Sequence, residues 1–167
     1  FLKKDIRQIG SGNIGATNVL RTGNKLIGYI TLTLDILKAI IPLLIIKFNF
    51  PEFIFLSALS IFLGHVFPLW LKFKGGKGVA TYLGMLFCIN YILGFVFIFS
   101  WFVIFIIFRY SSLSSLIASL TIPIYHFYII DNNNYYFFII LFILIFYTHR
   151  ENVKRLINNT ESKTKIY

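Results

Sequence analysis

Three polar stretches rich in glycine, lysine and arginine interrupt an otherwise apolar chain of 167 residues. Glycine leaves backbone N–H groups free to point at an anion, and lysine and arginine supply the opposing charge. If the three stretches meet at one membrane face, they can form a site for phosphate-bearing ligands. The stretches are Lys3 to Lys25, Lys72 to Gly78 and His149 to Glu161.

The first stretch contains a glycine pattern, Gly10-Ser11-Gly12-Asn13-Ile14-Gly15, that fits G-x-G-x-x-G. A dinucleotide-binding fingerprint needs a preceding strand and a βαβ unit, and the sequence predicts neither here. The backbone can still wrap around an oxyanion, and nearby side chains add hydrogen-bond donors. These side chains are Ser11, Asn13, Thr17, Asn18 and Arg21. The alternative is an ordinary loop that caps a helix.

The second stretch, Lys74-Gly75-Gly76-Lys77-Gly78, opens a predicted helix. It lacks the spacing of the Walker A loop, so nucleotide binding is not predicted. Glycines and a lysine at a helix N-terminus still favour a phosphate cradle. The alternative is a loop whose lysines only set the orientation in the membrane, which leaves the glycines unexplained.

The third stretch places His149, Asn152 and Arg155 at i, i+3 and i+6, on one broad face of a helix. The alternative is a solvated basic tail whose long side chains reach the membrane interface. No group of carboxylates in these stretches can hold Mg²⁺. The only cysteine, Cys88, excludes an internal disulfide and a cysteine-based metal site. We therefore expect no metal and no cofactor.

The composition predicts an integral membrane protein, because 57% of the residues are hydrophobic, against about 45–50% in soluble domains. The net charge is +10, and the basic residues lie at the ends of the apolar segments. Membrane topology explains this placement, so a nucleic-acid partner is not predicted. We expect one domain over residues 1–167. The only methionine is Met85, so we expect a chain that is truncated at its N-terminus.

Six membrane-spanning helices are predicted, which makes the chain an all-α, polytopic helix bundle. The segment Val79–Phe108 would be about 45 Å long as one helix, too long for a hydrocarbon core of about 30 Å, so we expect a break near Asn90. The predicted crossings are Leu26–Ile46, Phe53–Leu71, the two halves of Val79–Phe108, Leu113–Ile130 and Tyr135–Thr148.

Six crossings place all three polar stretches on one side of the membrane. Every lysine and arginine except Lys38 and Lys47 falls on that side, which predicts a cytoplasmic face. Asp35 and Lys38 lie within the first crossing, where each charge costs about 2.5–3.5 kcal/mol, so we expect them to pair. For His65, near the inner end of the second crossing, we expect a helix-end hydrogen bond.

The polar stretches resemble the motifs of the bacterial acyl-phosphate:glycerol-3-phosphate acyltransferases, in the same order and over essentially the whole chain. Ser11 to Asn18 resembles the first motif, Gly64 to Pro68 with Phe73 to Thr81 the second, and His149 to Asn152 with Arg155 to Glu161 the third; Arg109 to Ser115 is similar to a further cytoplasmic segment. Family members carry seven membrane helices, and the helix ahead of the first motif is absent here. Asn159 stands where the family usually has glycine.

This resemblance implies transfer of a fatty acyl group from acyl phosphate to the 1-hydroxyl of glycerol 3-phosphate, which gives lysophosphatidic acid and phosphate. It implies a multi-pass protein of the cell (inner) membrane with a cytoplasmic active site, in contact with membrane lipid. It also implies a separate enzyme that supplies acyl phosphate. Either His149 or a phosphate oxygen of the donor takes the hydroxyl proton.

The resemblance assigns roles to residues in all the polar segments. Acyl-phosphate binding falls to Gly10, Gly12, Asn13, Gly15, Thr17, Asn18, Gly75, Gly76, Lys77 and Gly78. Glycerol 3-phosphate binding falls to Ser11, Arg21, Lys77, Ser112, His149, Asn152 and Arg155. The catalytic set is Ser11, Arg21, Lys77, His149 and Asn152.

Two other classes of protein remain open. The charged pair of Asp35 and Lys38 inside the membrane also suits a transporter or channel for organic phosphates. Such proteins usually bind substrate near the bilayer midplane in a repeated architecture, and no internal repeat is present. A non-catalytic scaffold that binds anionic lipid leaves the glycines unexplained.

Overall fold

A computed structural model describes residues 5–8, 12–130 and 134–164, and those residues form helices and no strands. The all-α prediction is confirmed. The α-helices of the described part are α1 (Ala16–Leu20), α2 (Lys25–Asn49), α3 (Ile54–Val66), α4 (Val79–Ile89), α5 (Tyr91–Phe108), α6 (Ser111–Tyr125), α7 (Tyr135–Thr148) and α8 (Arg150–Ile157).

Each of the six predicted crossings contains one helix, α2 to α7. Four apolar helical stretches are long enough to span a membrane individually: Lys25–Asn49, Pro51–Leu71, Tyr91–Phe108 and Ser111–Ile130. Helix α7 reaches that length only together with α8, across a bend of 63°. The 11 residues of α4 rise about 16 Å, so helix length supports four or five spans and the sixth stays a prediction.

The predicted break between α4 and α5 is confirmed at Asn90. Asn90 has an extended backbone, and its side-chain oxygen accepts a hydrogen bond from the N–H of Ile92 at 2.9 Å. It thereby caps the first turn of α5, whose N–H groups have no acceptor inside the helix. The cap explains why an apolar run of this length forms two helices.

The chain forms two compact units, Phe1–Ile89 and Asn90–Tyr167. In the first unit, α2 packs against α1, α3 and α4. Gly84 of α4 lies so close to the carbonyl oxygen of Ile36 that a Cβ would clash with it, which lets the two helices approach closely. The interior of this unit contains the fully buried side chains of Ala39, Leu43, Ala58, Phe62, Tyr82 and Met85.

In the second unit, α6 packs against α5, α7 and α8. Polar side chains join α5 to α6 inside an apolar environment: the indole N–H of Trp101 donates to the hydroxyl of Ser115 at 3.1 Å, and Ser100 and Thr121 share a hydrogen bond of 3.0 Å. Such contacts satisfy polar groups that lipid cannot satisfy. That the two units form a single domain stays a prediction.

Candidate functional site

Asparagine side chains fold the first glycine loop onto itself. Asn13 accepts a hydrogen bond from the N–H of Gly15 at 2.8 Å. The buried amide of Asn18 donates to the carbonyl oxygens of Ile6 at 3.1 Å and of Asn13 at 2.8 Å. Asparagine readily bonds to nearby backbone in this way. These contacts shape the loop, and the predicted binding of a ligand by Asn13 and Asn18 stays a prediction.

Gly12 and Arg21 of this stretch have features that suit contact with an anion. Gly12 has a left-handed backbone, with φ of +69°, a conformation that glycine adopts without strain. Thr17 and Arg21 are exposed, and Arg21 follows the last residue of α1. A guanidinium at such a place can bind a phosphate through two parallel hydrogen bonds. Gly10 and Ser11, also predicted for the site, lie outside the described residues.

The second glycine loop, Gly75–Gly78, binds to the end of α3. The N–H of Gly75 donates to the carbonyl oxygen of Val66 at 3.1 Å. The N–H of Gly76 donates to the backbone carbonyl oxygen of His65 at 3.2 Å. These carbonyl groups belong to the last turn of α3, where they lack partners inside the helix. We expected both N–H groups to be free for a phosphate; that expectation is wrong, because they cap α3 instead.

The anion-binding capacity of this loop lies at its other end, where α4 begins. The first hydrogen bond of the helix runs from the N–H of Tyr82 to the carbonyl of Gly78 at 2.7 Å, so the N–H groups of the first turn have no acceptor inside the helix. Lys77, half-buried, immediately precedes this turn. A helix N-terminus beside an ammonium group is suited to bind a phosphate.

Thr81 lies in this first turn and was not predicted as a site residue. Its side chain is fully buried, and its hydroxyl has no hydrogen-bond partner among the described residues. A buried hydroxyl without a partner is costly. Its place three residues beyond Gly78 is the only sequence signal that could have identified it.

The second unit gathers three of the predicted residues around one carboxylate, that of Glu161. Its oxygens accept hydrogen bonds from the hydroxyl of Ser112 at 2.8 Å, the amide of Asn152 at 2.8 Å and the guanidinium of Arg155 at 2.6 Å. We name these four residues the Glu161 cluster. The cluster brings Ser112, Asn152 and Arg155 together on a carboxylate of the chain itself, and their predicted binding of glycerol 3-phosphate stays a prediction.

The charge of Glu161 is stabilised by its partners. Its side chain is 5% exposed, and burial by itself would raise the pKa of the carboxyl. The three hydrogen bonds and the Arg155 charge outweigh burial, so the pKa of Glu161 lies below its usual value. Glu161 lies in the third motif but was not predicted as a site residue. The sequence signal that could have identified it is its position as an acid at the end of a basic stretch.

Asn159 provides the turn that brings Glu161 back to α8. Its φ is +55°, and the N–H groups of Asn159 and Thr160 donate to Leu156 and Arg155 at 3.2 and 2.8 Å. This pattern is a Schellman motif, which glycine usually terminates and asparagine tolerates. Asn159 thus adopts a left-handed conformation at the position where the family usually has glycine.

His149 lies at the junction of α7 and α8 and is 2% exposed. Its Nδ1 lies 2.8 Å from the carbonyl oxygen of Ile145. Because a carbonyl oxygen only accepts, Nδ1 carries the proton, and the lone pair of the neutral ring is on Nε2. An imidazole oriented in this way can accept a proton or a hydrogen bond at Nε2.

The predicted residues are divided between the two units. The first unit holds Arg21, Lys77 and the glycine loops; the second unit holds His149 and the Glu161 cluster. Both units contain helices apolar enough to cross a membrane. These features define a multi-pass membrane protein that carries hydrogen-bond donors and cationic side chains in both units.

Comparison with known proteins gives the family. A family model described as "Glycerol-3-phosphate acyltransferase" matches residues 1–159, and the chain belongs to that family. It is 69% identical to the glycerol-3-phosphate acyltransferase of Pelagibacter ubique, over 100% of this chain and 87% of the relative. It is 50% identical to that of Bartonella henselae, over 95% of this chain and 78% of the relative.

Two solved structures are also similar, both of PlsY (YgiH), described as an integral membrane glycerol 3-phosphate acyltransferase. Its glycerol 3-phosphate form matches with a TM-score of 0.91 and 37% identity, over 98% of this chain and 84% of that one. Its lysophosphatidic acid form matches with a TM-score of 0.85 and 37% identity, over 93% and 82%. The prediction of a multi-pass membrane acyltransferase is confirmed.

Proposed function

We propose that this chain transfers a fatty acyl group from acyl phosphate to the 1-hydroxyl of glycerol 3-phosphate. The observation that carries the proposal is the family match over residues 1–159. The likeness to a structure named for its glycerol 3-phosphate form supports the acceptor. The products are lysophosphatidic acid and inorganic phosphate.

The chemistry suits the residues present. Acyl phosphate is a mixed anhydride: the hydroxyl oxygen of the acceptor bonds to the carbonyl carbon, the bond from that carbon to the phosphate oxygen breaks, and phosphate leaves. No protein nucleophile is required. The protein has to hold two anions together and orient a hydroxyl against a carbonyl, which contributes several kcal/mol.

In the first unit, the beginning of α4 and Lys77 bind the donor phosphate in this proposal, and the first glycine loop assists them. Lys77 also stabilises the negative charge that develops in the transition state. Arg21 binds the phosphate of the acceptor. Gly75 and Gly76 act by shaping the loop, since their N–H groups already cap α3.

In the second unit, Ser112, His149, Asn152 and Arg155 bind glycerol 3-phosphate in this proposal, and Asn152 orients its hydroxyl. Ser11, of the first polar stretch, is proposed for the same orienting role. The proton goes either to Nε2 of His149 or to a phosphate oxygen of the donor. We favour the donor phosphate, because no carboxylate of the motifs is an obvious base. Glu161 holds three of the four binding side chains in place.

The proposal includes a place in the cell. Basic residues cluster on one predicted side of the membrane, which favours the cytoplasmic face of the inner membrane. Acyl phosphate is an activated intermediate, so a separate enzyme has to supply it. The acyl chain lies between helices or in lipid, which explains why the transferase is embedded.

An assay of full-length protein in proteoliposomes tests the proposal. Labelled glycerol 3-phosphate and acyl phosphate should give labelled lysophosphatidic acid. Lys77→Ala and Arg21→Ala should each lower kcat/KM by about 100-fold or more, whereas Lys74→Ala, at an exposed position of the same stretch, should not. Near-normal turnover in either site variant would contradict the assignment. Label that crosses the membrane unchanged would indicate a transporter.

A further inference from the structure

Three ionisable side chains that were not predicted to bind substrate meet in the first unit. Lys38 and Asp35 lie one turn apart on α2, and the ammonium group of Lys38 donates to the Asp35 carboxylate at 2.6 Å. The same ammonium contacts Nδ1 of His65, near the end of α3. His65 is 7% exposed. The pairing of Asp35 with Lys38 was predicted; the participation of a third group on another helix was not.

His65 is also the residue on which the Gly75–Gly78 loop rests. Its carbonyl oxygen accepts the N–H of Gly76 at 3.2 Å, and the neighbouring carbonyl of Val66 accepts that of Gly75 at 3.1 Å. A Cβ added at Gly76 would collide with Nε2 of the His65 ring, and one at Gly75 would collide with the His65 carbonyl. The loop is therefore fitted against both the backbone and the side chain of His65.

The contact with Lys38 fixes the state of the His65 ring. An ammonium group has donors and no acceptor, so Nδ1 of His65 accepts from Lys38. The ring proton of the neutral imidazole then lies on Nε2, the nitrogen beside Gly76. Asp35 compensates the charge of Lys38 and holds its side chain in this direction.

We propose that Asp35, Lys38 and His65 are positioning residues that fix the Gly75–Gly78 loop, and with it Lys77 and the beginning of α4. Lys38 orients the His65 ring, and the ring sets the path of the loop past the end of α3. The relevance of this arrangement to acyl transfer rests on the proposed function; the effect on the loop does not. A pair that only neutralised its own charges would not need a third group on α3.

Kinetics of full-length variants test the role in transfer. Lys38→Met should lower kcat/KM by about 10- to 100-fold, because a displaced loop weakens the binding of phosphate by Lys77 and the beginning of α4. Most of this loss should appear in the KM of a phosphate-bearing substrate. The matched control is Lys47→Met, which removes another lysine of α2 whose ammonium donates to the carbonyl of Cys88 at 2.6 Å; its KM values should equal those of the parent.

A charge-neutral double variant separates positioning from charge balance. Asp35→Leu with Lys38→Met removes both charges and leaves no donor for Nδ1 of His65. Under the proposal its KM stays as high as in Lys38→Met. Restoration of the parental kinetics would show a charge-balanced pair only and would overturn the proposal.

Substitutions of His65 give a second test that does not depend on the pair. The amide of glutamine can occupy the position of Nε2, whereas that of asparagine occupies the position of Nδ1. His65→Gln should therefore retain a KM closer to the parental value than His65→Asn. Equal KM values in the two variants would count against a specific role for the ring edge beside Gly76.

Hydrogen–deuterium exchange provides a readout that needs no activity. The N–H groups of Gly75 and Gly76 are hydrogen-bonded in the parent, so a peptide covering 75–78 should be protected. Exchange there should become about tenfold faster in Lys38→Met and His65→Asn and stay unchanged in Lys47→Met. Unchanged protection in all variants would overturn the inference. Absence of lysophosphatidic acid from the parent would contradict only the proposed function.

Discussion

At the scale of single residues, the site depends on side chains that hold other side chains. Glu161 binds Ser112, Asn152 and Arg155, and Asn18 ties the first glycine loop to two carbonyl oxygens. The sequence predicts which residue types supply donors, because charge and hydrogen-bonding capacity belong to the residue. It does not predict which donors are used internally, because that depends on atoms far apart in the chain.

Replacing Glu161 should loosen the cluster in the second unit. Glu161→Gln removes the charge from three hydrogen bonds and should lower the free energy of unfolding by about 1.5–3 kcal/mol at pH 7. The matched control is Glu151→Gln, an acid of α8 that is 60% exposed and pairs with Lys154 at 3.5 Å; its effect should be about 0.5 kcal/mol or less. Thermal unfolding in detergent measures both, and equal effects would contradict a specific role for Glu161.

The same substitution has a predicted pH dependence. The pKa of Glu161 is lower in the folded protein than its usual value, so its ionisation stabilises the fold above about pH 5, past the unfolded pKa of about 4.3. This contribution is lost as the pH falls through the folded pKa. The difference in stability between the parent and Glu161→Gln should therefore shrink in acid, and a constant difference down to pH 3 would contradict the assignment.

At the scale of helices, the sequence predicts existence and type well and boundaries less well. The apolar runs predict α2 to α7, and the break at Asn90 follows from the length of one run. Helix α1 was not predicted, because five residues are too few to show a helical pattern. A helix carrying His149, Asn152 and Arg155 was predicted, but the bend of 63° that separates α8 from α7 was not. Asn159 stands where the family usually has glycine, and the structure shows a left-handed turn there, which asparagine tolerates.

Substitutions at Asn159 test the turn after α8. A β-branched residue resists a left-handed backbone, so Asn159→Val should lower the free energy of unfolding by about 1–2 kcal/mol. Asn159→Gly should leave stability unchanged or raise it. Asn158→Val is the matched control, since Asn158 has an ordinary φ of −85°. Thermal unfolding in detergent measures all three; equal losses in the two valine variants would contradict the requirement for a left-handed turn.

At the scale of the whole molecule, charge and hydropathy predict a multi-pass membrane protein, and the family match agrees with that class. They predict sidedness only through the number of crossings, and that number depends on α4 and on α7, which reaches a spanning length only together with α8. If both helices cross, the predicted topology puts all three polar stretches on one side of the membrane; if only one of them crosses, it does not. Composition cannot decide this, because 11 apolar residues suit a short span or a helix that does not cross.

Cysteine labelling in oriented membrane vesicles tests the sidedness most directly. In a Cys88→Ala background, Lys74→Cys and Lys154→Cys each present one thiol at an exposed position, the first beside the Gly75–Gly78 loop and the second on α8. A membrane-impermeant maleimide should label both from the cytoplasmic side and neither from the other side. Labelling of the two positions from opposite sides would contradict a shared site for acyl transfer.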